Sequence, residues 1–177
     1  MKYQDCAEAL QAGPGAKADS RVTGRLTDAN INPATGLATD YLNHFNEAIM
    51  LLEMLSSCPE CRADFLGWRP TSYREHFAAS RFKGRAAAIA AYDAADARLR
   101  GRLDALTGAM TATLEATRAA MISDMAPESA VALAERAAAL LRPLVARAGA
   151  VINGEDSADG SEPATPQAVV DGLMNRA

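Results

Sequence analysis

Large and reactive side chains are scarce in this chain. Aromatic residues make up 5% of it, with one tryptophan, and histidine occurs twice. A core with so few rings must be aliphatic and alanine-built. Alanine faces pack closely, so little room is expected for a deep apolar pocket. Two histidines are too few for the many-histidine centres of hemerythrin-like bundles. Cysteine is sparse and odd in number, at three, which suits neither a disulfide framework nor a complete zinc knuckle. Positive charge is not in excess: the net charge of −4 speaks against bulk electrostatic binding to nucleic acid or an anionic membrane. No apolar run is long enough to span a membrane. The opening MKYQDCAEALQAG lacks the apolar core of a signal peptide, and a reduced, cytoplasmic setting is expected. Nowhere do apolar residues alternate as in a strand, and no internal repeat is visible.

What the chain does have is helical periodicity. Within DYLNHFNEAIMLLEML, residues 40–55, Tyr41, Phe45, Ala48, Ile49, Leu52 and Leu55 share one face at about 100° per residue. Asn43, Asn46, Met50 and Glu53 lie opposite. Ser72 with Glu75 three residues on makes a capping box for a second helix. Gly84 interrupts it before residues 86–92 resume. Asp93 or Asp96 can cap a third helix, running to about Ser123, whose seam is Leu99, Leu103, Leu106, Met110, Leu114, Thr117 and Met121. Pro127 opens a fourth, with Leu133, Ala137, Leu140, Leu144 and Ala148 on its stripe and Pro143 inside. The class expected is all-α: an antiparallel bundle of four main helices with short accessory ones. Residues 1–36 read as a mobile leader, 37–152 as the bundle, and 153–177 as an acidic linker with a short terminal helix.

The candidate site follows from the histidines. His44 stands at the edge of the apolar face of its helix, with Asp40 and Glu47 one turn away on either side. His76 shares a side with Tyr73 and Phe77, so both imidazoles are expected to face inward. Trp68 lies in the connection between the two helices. Asp40, His44, Glu47, Trp68, Tyr73 and His76 are therefore the candidate ligand-binding residues. No cofactor is expected, although a single divalent metal would suit His44, His76, Glu47 and Asp40. Ferritin-like di-iron proteins use Glu-x-x-His on paired helices, whereas His-x-x-Glu occurs here once.

Cys58-Pro59-Glu60-Cys61 is half of a zinc knuckle. It is also similar to part of the AhpD-like peroxidase pattern, but Glu47 is one residue too close to Cys58 and Phe65 stands in the histidine's place. The pair is read as two incidental thiols at a helix junction. Arg62, Arg69, Arg74, Arg81, Lys83 and Arg85 gather positive charge that an anionic ligand could meet, or that could form a solvated face with Asp64 and Glu75.

DYLNHFNE and the W-x-P-x-SYREHF segment resemble a group of small bacterial all-helical proteins without an assigned activity. The resemblance covers about residues 31–120 and implies only the helical fold. Function is expected to be non-enzymatic binding of a protein partner or small ligand, with no nucleic acid or membrane involved. The alternative is a metal-dependent or acid–base enzyme with its His/carboxylate site in the bundle core. Oligomeric state is not set by the sequence.

Overall fold

The computed structural model describes Leu26 and residues 30–81, 83–123 and 125–155. Among them the chain is all-α. A 3-10 turn, Thr39–Tyr41, leads into α1, Leu42–Met54. There follow α2 (Cys61–Gly67), α3 (Tyr73–Ala79), α4 (Arg85–Ala94), α5 (Ala97–Ile122) and α6 (Pro127–Asn153). Strand-like pairing among the described residues is confined to one isolated bridge, Ile31 with Ala38. None of the described helices is long and apolar enough to cross a membrane. The expected terminal helix and most of the acidic linker lie outside the described residues, as do residues 1–25.

Two compact units can be distinguished. Among the described residues, the first comprises Leu26, residues 30–41, the described part of Thr71–Leu103, and residues 149–155. Its helices form for local reasons. Ser72 caps α3 by accepting the Glu75 N–H while the Glu75 carboxylate accepts the Ser72 N–H, which satisfies two otherwise orphaned donors. Asp96 caps α5, its Oδ1 accepting from the N–H groups of Arg98 and Leu99. Helix α3 packs on α4 and on the 3-10 turn.

The end of the expected mobile leader is built into this unit. Ile31, Thr35, Leu37 and Ala38 are buried, as is Leu26. Residues 31–38 fold back on themselves: Asn32 N–H donates to Leu37 O, Gly36 N–H to Asn32 O, and Ala34 N–H to the Asn32 side chain. The Thr35 hydroxyl then donates to Ile152 O at 2.6 Å near the end of α6 and accepts the Leu37 N–H. The stretch looks like linker because it is polar, yet its polar groups are spent on one another, and Ile31 and Leu37 supply apolar anchors. At its tip Gly36 has φ +72°, and a Cβ there would lie 3.0 Å from Ala91 O. Glycine serves both the left-handed backbone and the close approach.

The second unit comprises Leu42–Pro70 and Asp104–Ala148 among the described residues. Helix α1 buries Leu42, Phe45, Ala48, Ile49 and Leu52, and Leu55 follows beyond its end, while Asn43, Asn46, Met50 and Glu53 are exposed, as periodicity requires. Helix α2 packs against α1 and buries Cys61 and Phe65. In α5 the seam Leu106, Met110, Leu114, Thr117 and Met121 is buried. Thr113 and Thr117 enter it without leaving hydroxyls unsatisfied, because each donates to the carbonyl one turn back, Ala109 and Thr113. Helix α6 runs on through Pro143 to Asn153, further than its stripe suggested. Of that stripe Ala137, Leu144 and Ala148 are buried, but Leu140 is exposed while its neighbour Leu141 is fully buried, together with Ala134 and Ala138. Where two leucines are adjacent, period alone cannot choose between them. On the outside, Arg142 forks onto the Glu53 carboxylate, with Nε to Oε1 at 2.8 Å.

Candidate functional site

The six expected site residues fall into two groups. Asp40, Tyr73 and His76 belong to the first unit; His44, Glu47 and Trp68 belong to the second.

In the first group, α3 presents Tyr73, His76 and Phe77 on one side, and the 3-10 turn brings Tyr41 against them. The Tyr41 ring meets Tyr73 at 5.2 Å and His76 at 5.6 Å, both edge-on. Tyr73 stacks on Tyr92 of α4 at 4.4 Å and leans on Phe77 at 4.8 Å. The hydroxyls are occupied: Tyr41 donates to Thr71 O, and Tyr73 accepts the Ala38 N–H, both at 2.9 Å. Burial raises the Tyr73 phenol well above its ordinary range, against the smaller effect of that Ala38 bond. Tyr73 is thus a neutral structural ring at physiological pH. His76 is half-buried, and burial lowers its pKa below the usual histidine value. The Asp40 charge and a hydrogen bond to the Asp40 backbone pull it back up by less. Asp40 Oδ2 and Thr71 Oγ1 are buried without a hydrogen-bond partner.

In the second group, His44 stacks on Trp68, with ring centroids 4.8 Å apart and planes at 24°. The indole N–H donates to the His44 carbonyl at 3.3 Å. Trp68 also tilts against Phe45 at 6.5 Å and is 7% exposed. Glu47 is exposed on α1. Among the described residues, no three His, Cys, Asp or Glu side chains are grouped as metal ligands.

Four residues of the arginine-rich stretch are engaged within the protein. Arg62 donates to Met121 O and Ser123 O at the end of α5. Arg69 donates to Leu66 O and Trp68 O, and Arg85 to Ser80 O. Arg74 pairs with Asp93 at 2.6 Å. The Arg62, Arg69 and Arg85 bonds reach carbonyls at or beside helix ends, and the Arg74 pair joins α3 to α4.

Two further features lie outside the expected site residues: the first has no counterpart among the sequence expectations, and the second is read there as incidental. One is a cavity of about 330 Å³ in the second unit, lined by Leu55, Ser56, Pro59, Arg62, Pro127, Glu128, Ala130 and Val131. This space opens where helices end, at residues chosen for turns and caps. Pro59 and Pro127 mark those ends in the sequence, but nothing in it makes them neighbours. The other feature is the cysteine pair. Cys61, buried, has its Sγ 2.7 Å from that of the partly exposed Cys58, and both are free thiols. The hydrogen bond with Cys61, with burial adding to it, pushes the Cys58 thiol up to about 11.

Models of known protein families, curated proteins and solved structures were each compared with the chain, and none matches it.

Proposed function

We propose that this chain is a binding protein without catalytic activity, and that its ligand is a small molecule with an apolar body and one hydrogen-bonding end. The observation that carries this reading is the cavity beside the end of α1 and the start of α6. At about 330 Å³ it falls in the range of small-ligand pockets, roughly 300–1,000 Å³. Leu55, Pro59, Ala130 and Val131 give it an apolar lining, and Ser56, Arg62 and Glu128 supply polar groups. An aliphatic chain would fill such a space, and its polar end would meet the Arg62 guanidinium or water. Octanoate and octanol are suitable calorimetric probes, since they share the chain and differ in charge. Binding of at least one should be lost on Val131→Trp, which fills the cavity, and kept in His76→Gln. Equal binding by the parent protein and Val131→Trp would refute the assignment.

A second reading rests on the first unit. Asp40 Oδ2 and Thr71 Oγ1 are buried polar atoms without partners, in the same cluster as His76, whose depressed pKa favours a neutral ring able to accept a proton. An acid–base site, or one recognising a polar ligand, would use Asp40, Thr71 and His76. Loss of octanoate binding in His76→Gln, with Val131→Trp unaffected, would favour this reading over the cavity.

A further inference from the structure

The cysteine pair carries an inference of its own, independent of the cavity. We infer that Cys58 and Cys61 form a two-electron dithiol–disulfide couple that exchanges with low-molecular-weight disulfides. The two sulfurs lie 2.7 Å apart, within an ångström of the roughly 2.05 Å of a bonded pair. The intervening backbone already holds them there. Cys58 N–H donates to Met54 O, Cys61 N–H to Cys58 O, and Arg62 N–H to Pro59 O. Ring closure therefore asks for a side-chain adjustment and no movement of α1 or α2. Access is unequal in the way a two-step exchange needs. Cys58 is partly exposed, while Cys61 is 4% exposed and out of reach of a bulky reagent.

The step balances as follows. The Cys58 thiolate attacks one sulfur of the incoming disulfide, forming a mixed disulfide and expelling one small thiolate. Cys61, deprotonated to solvent, then attacks the Cys58 sulfur, which forms the Cys58–Cys61 bond and expels the second small thiolate. Two electrons pass from the protein to the small disulfide. The two protons lost by the protein thiols end on the two small thiols released. The high pKa of Cys58 slows the first attack, so the couple is best read at equilibrium.

The test uses the full chain carrying Cys6→Ser, so that only this pair can close. The protein is brought to equilibrium in buffers of varied oxidised-to-reduced glutathione ratio, quenched in acid, alkylated and weighed. The expected product has lost two hydrogens and carries no glutathione, and peptide mapping places the bond between Cys58 and Cys61. The ratio of this product to the dithiol form should follow the oxidised glutathione concentration divided by the square of the reduced one. In Cys61→Ser, made in the same background, glutathione should accumulate on Cys58. In Cys58→Ser, also in that background, Cys61 should stay unmodified while circular dichroism remains native. Two free thiols across the whole range, or glutathione on both cysteines, would overturn the couple without reference to either variant.

Discussion

Trp68 folds back onto the helix that carries His44, its ring stacked 4.8 Å from the imidazole and its N–H on the His44 carbonyl. The indole thereby covers Phe45 and ties the end of α2 to the start of α1. Trp68→Ala should cost about 3–5 kcal/mol in chemical denaturation, the usual range for a buried aromatic. Trp68→Phe should cost less, because it keeps most of the packing and loses the hydrogen bond. A Trp68→Ala protein within 0.5 kcal/mol of the parent would show that the stack bears no structural weight.

His76 makes stability depend on pH in a predictable direction. Its pKa in the folded chain lies below the value of 6.5 expected for an unperturbed ring, so the unfolded chain binds the proton more readily. The favourable contribution is present above pH 6.5 and is lost as pH falls through the folded pKa. His76→Gln removes this dependence. The fall in Tm between pH 7 and pH 5 should be shallower in the variant than in the parent, and parallel profiles would contradict the assignment.

The capping box at the start of α3 gives a local test. Ser72→Ala should destabilise by about 1 kcal/mol, the usual cost of removing an N-cap hydroxyl. Ser72→Asp should recover much of it, since an aspartate also accepts from the backbone. Denaturant midpoints at constant m-value would measure both, and a neutral Ser72→Ala would count against the box.

Thr35 and Gly36 test whether the loop before the 3-10 turn belongs to the fold. Thr35→Val keeps the shape but leaves the Ile152 carbonyl and the Leu37 N–H without the hydroxyl, at about 1–3 kcal/mol. Gly36→Ala should cost a similar amount, about 1–3 kcal/mol, by forcing a side chain into left-handed backbone 3.0 Å from Ala91 O. If residues 30–36 were a detached leader, neither change would register in thermal unfolding.

Helical class and much of the helix punctuation were legible in the sequence, because they follow from local physics. Phe45, Ala48, Ile49 and Leu52 recur with the turn of the helix and are buried. Ser72 and Asp96 cap the helices they precede because a side-chain oxygen need reach only two or three residues along the chain. Of the candidate site residues, the contact of His76 with its chain neighbour Phe77 follows from local spacing, whereas the stack of His44 on Trp68 does not. Long-range partnership could not be read from spacing. That Thr35 meets Ile152, that Leu141 rather than Leu140 turns inward, and that Pro59 and Val131 line one cavity are decided by which helix ends tertiary packing brings together. Such contacts join residues far apart in the chain, and no local period, cap or composition encodes them. The Cys58–Cys61 approach stands between the two cases. Its spacing is local, and the turn around Pro59 that brings the sulfurs together is held by bonds between near neighbours, but whether a Cys-x-x-Cys closes in this way depends on that turn geometry and not on spacing alone.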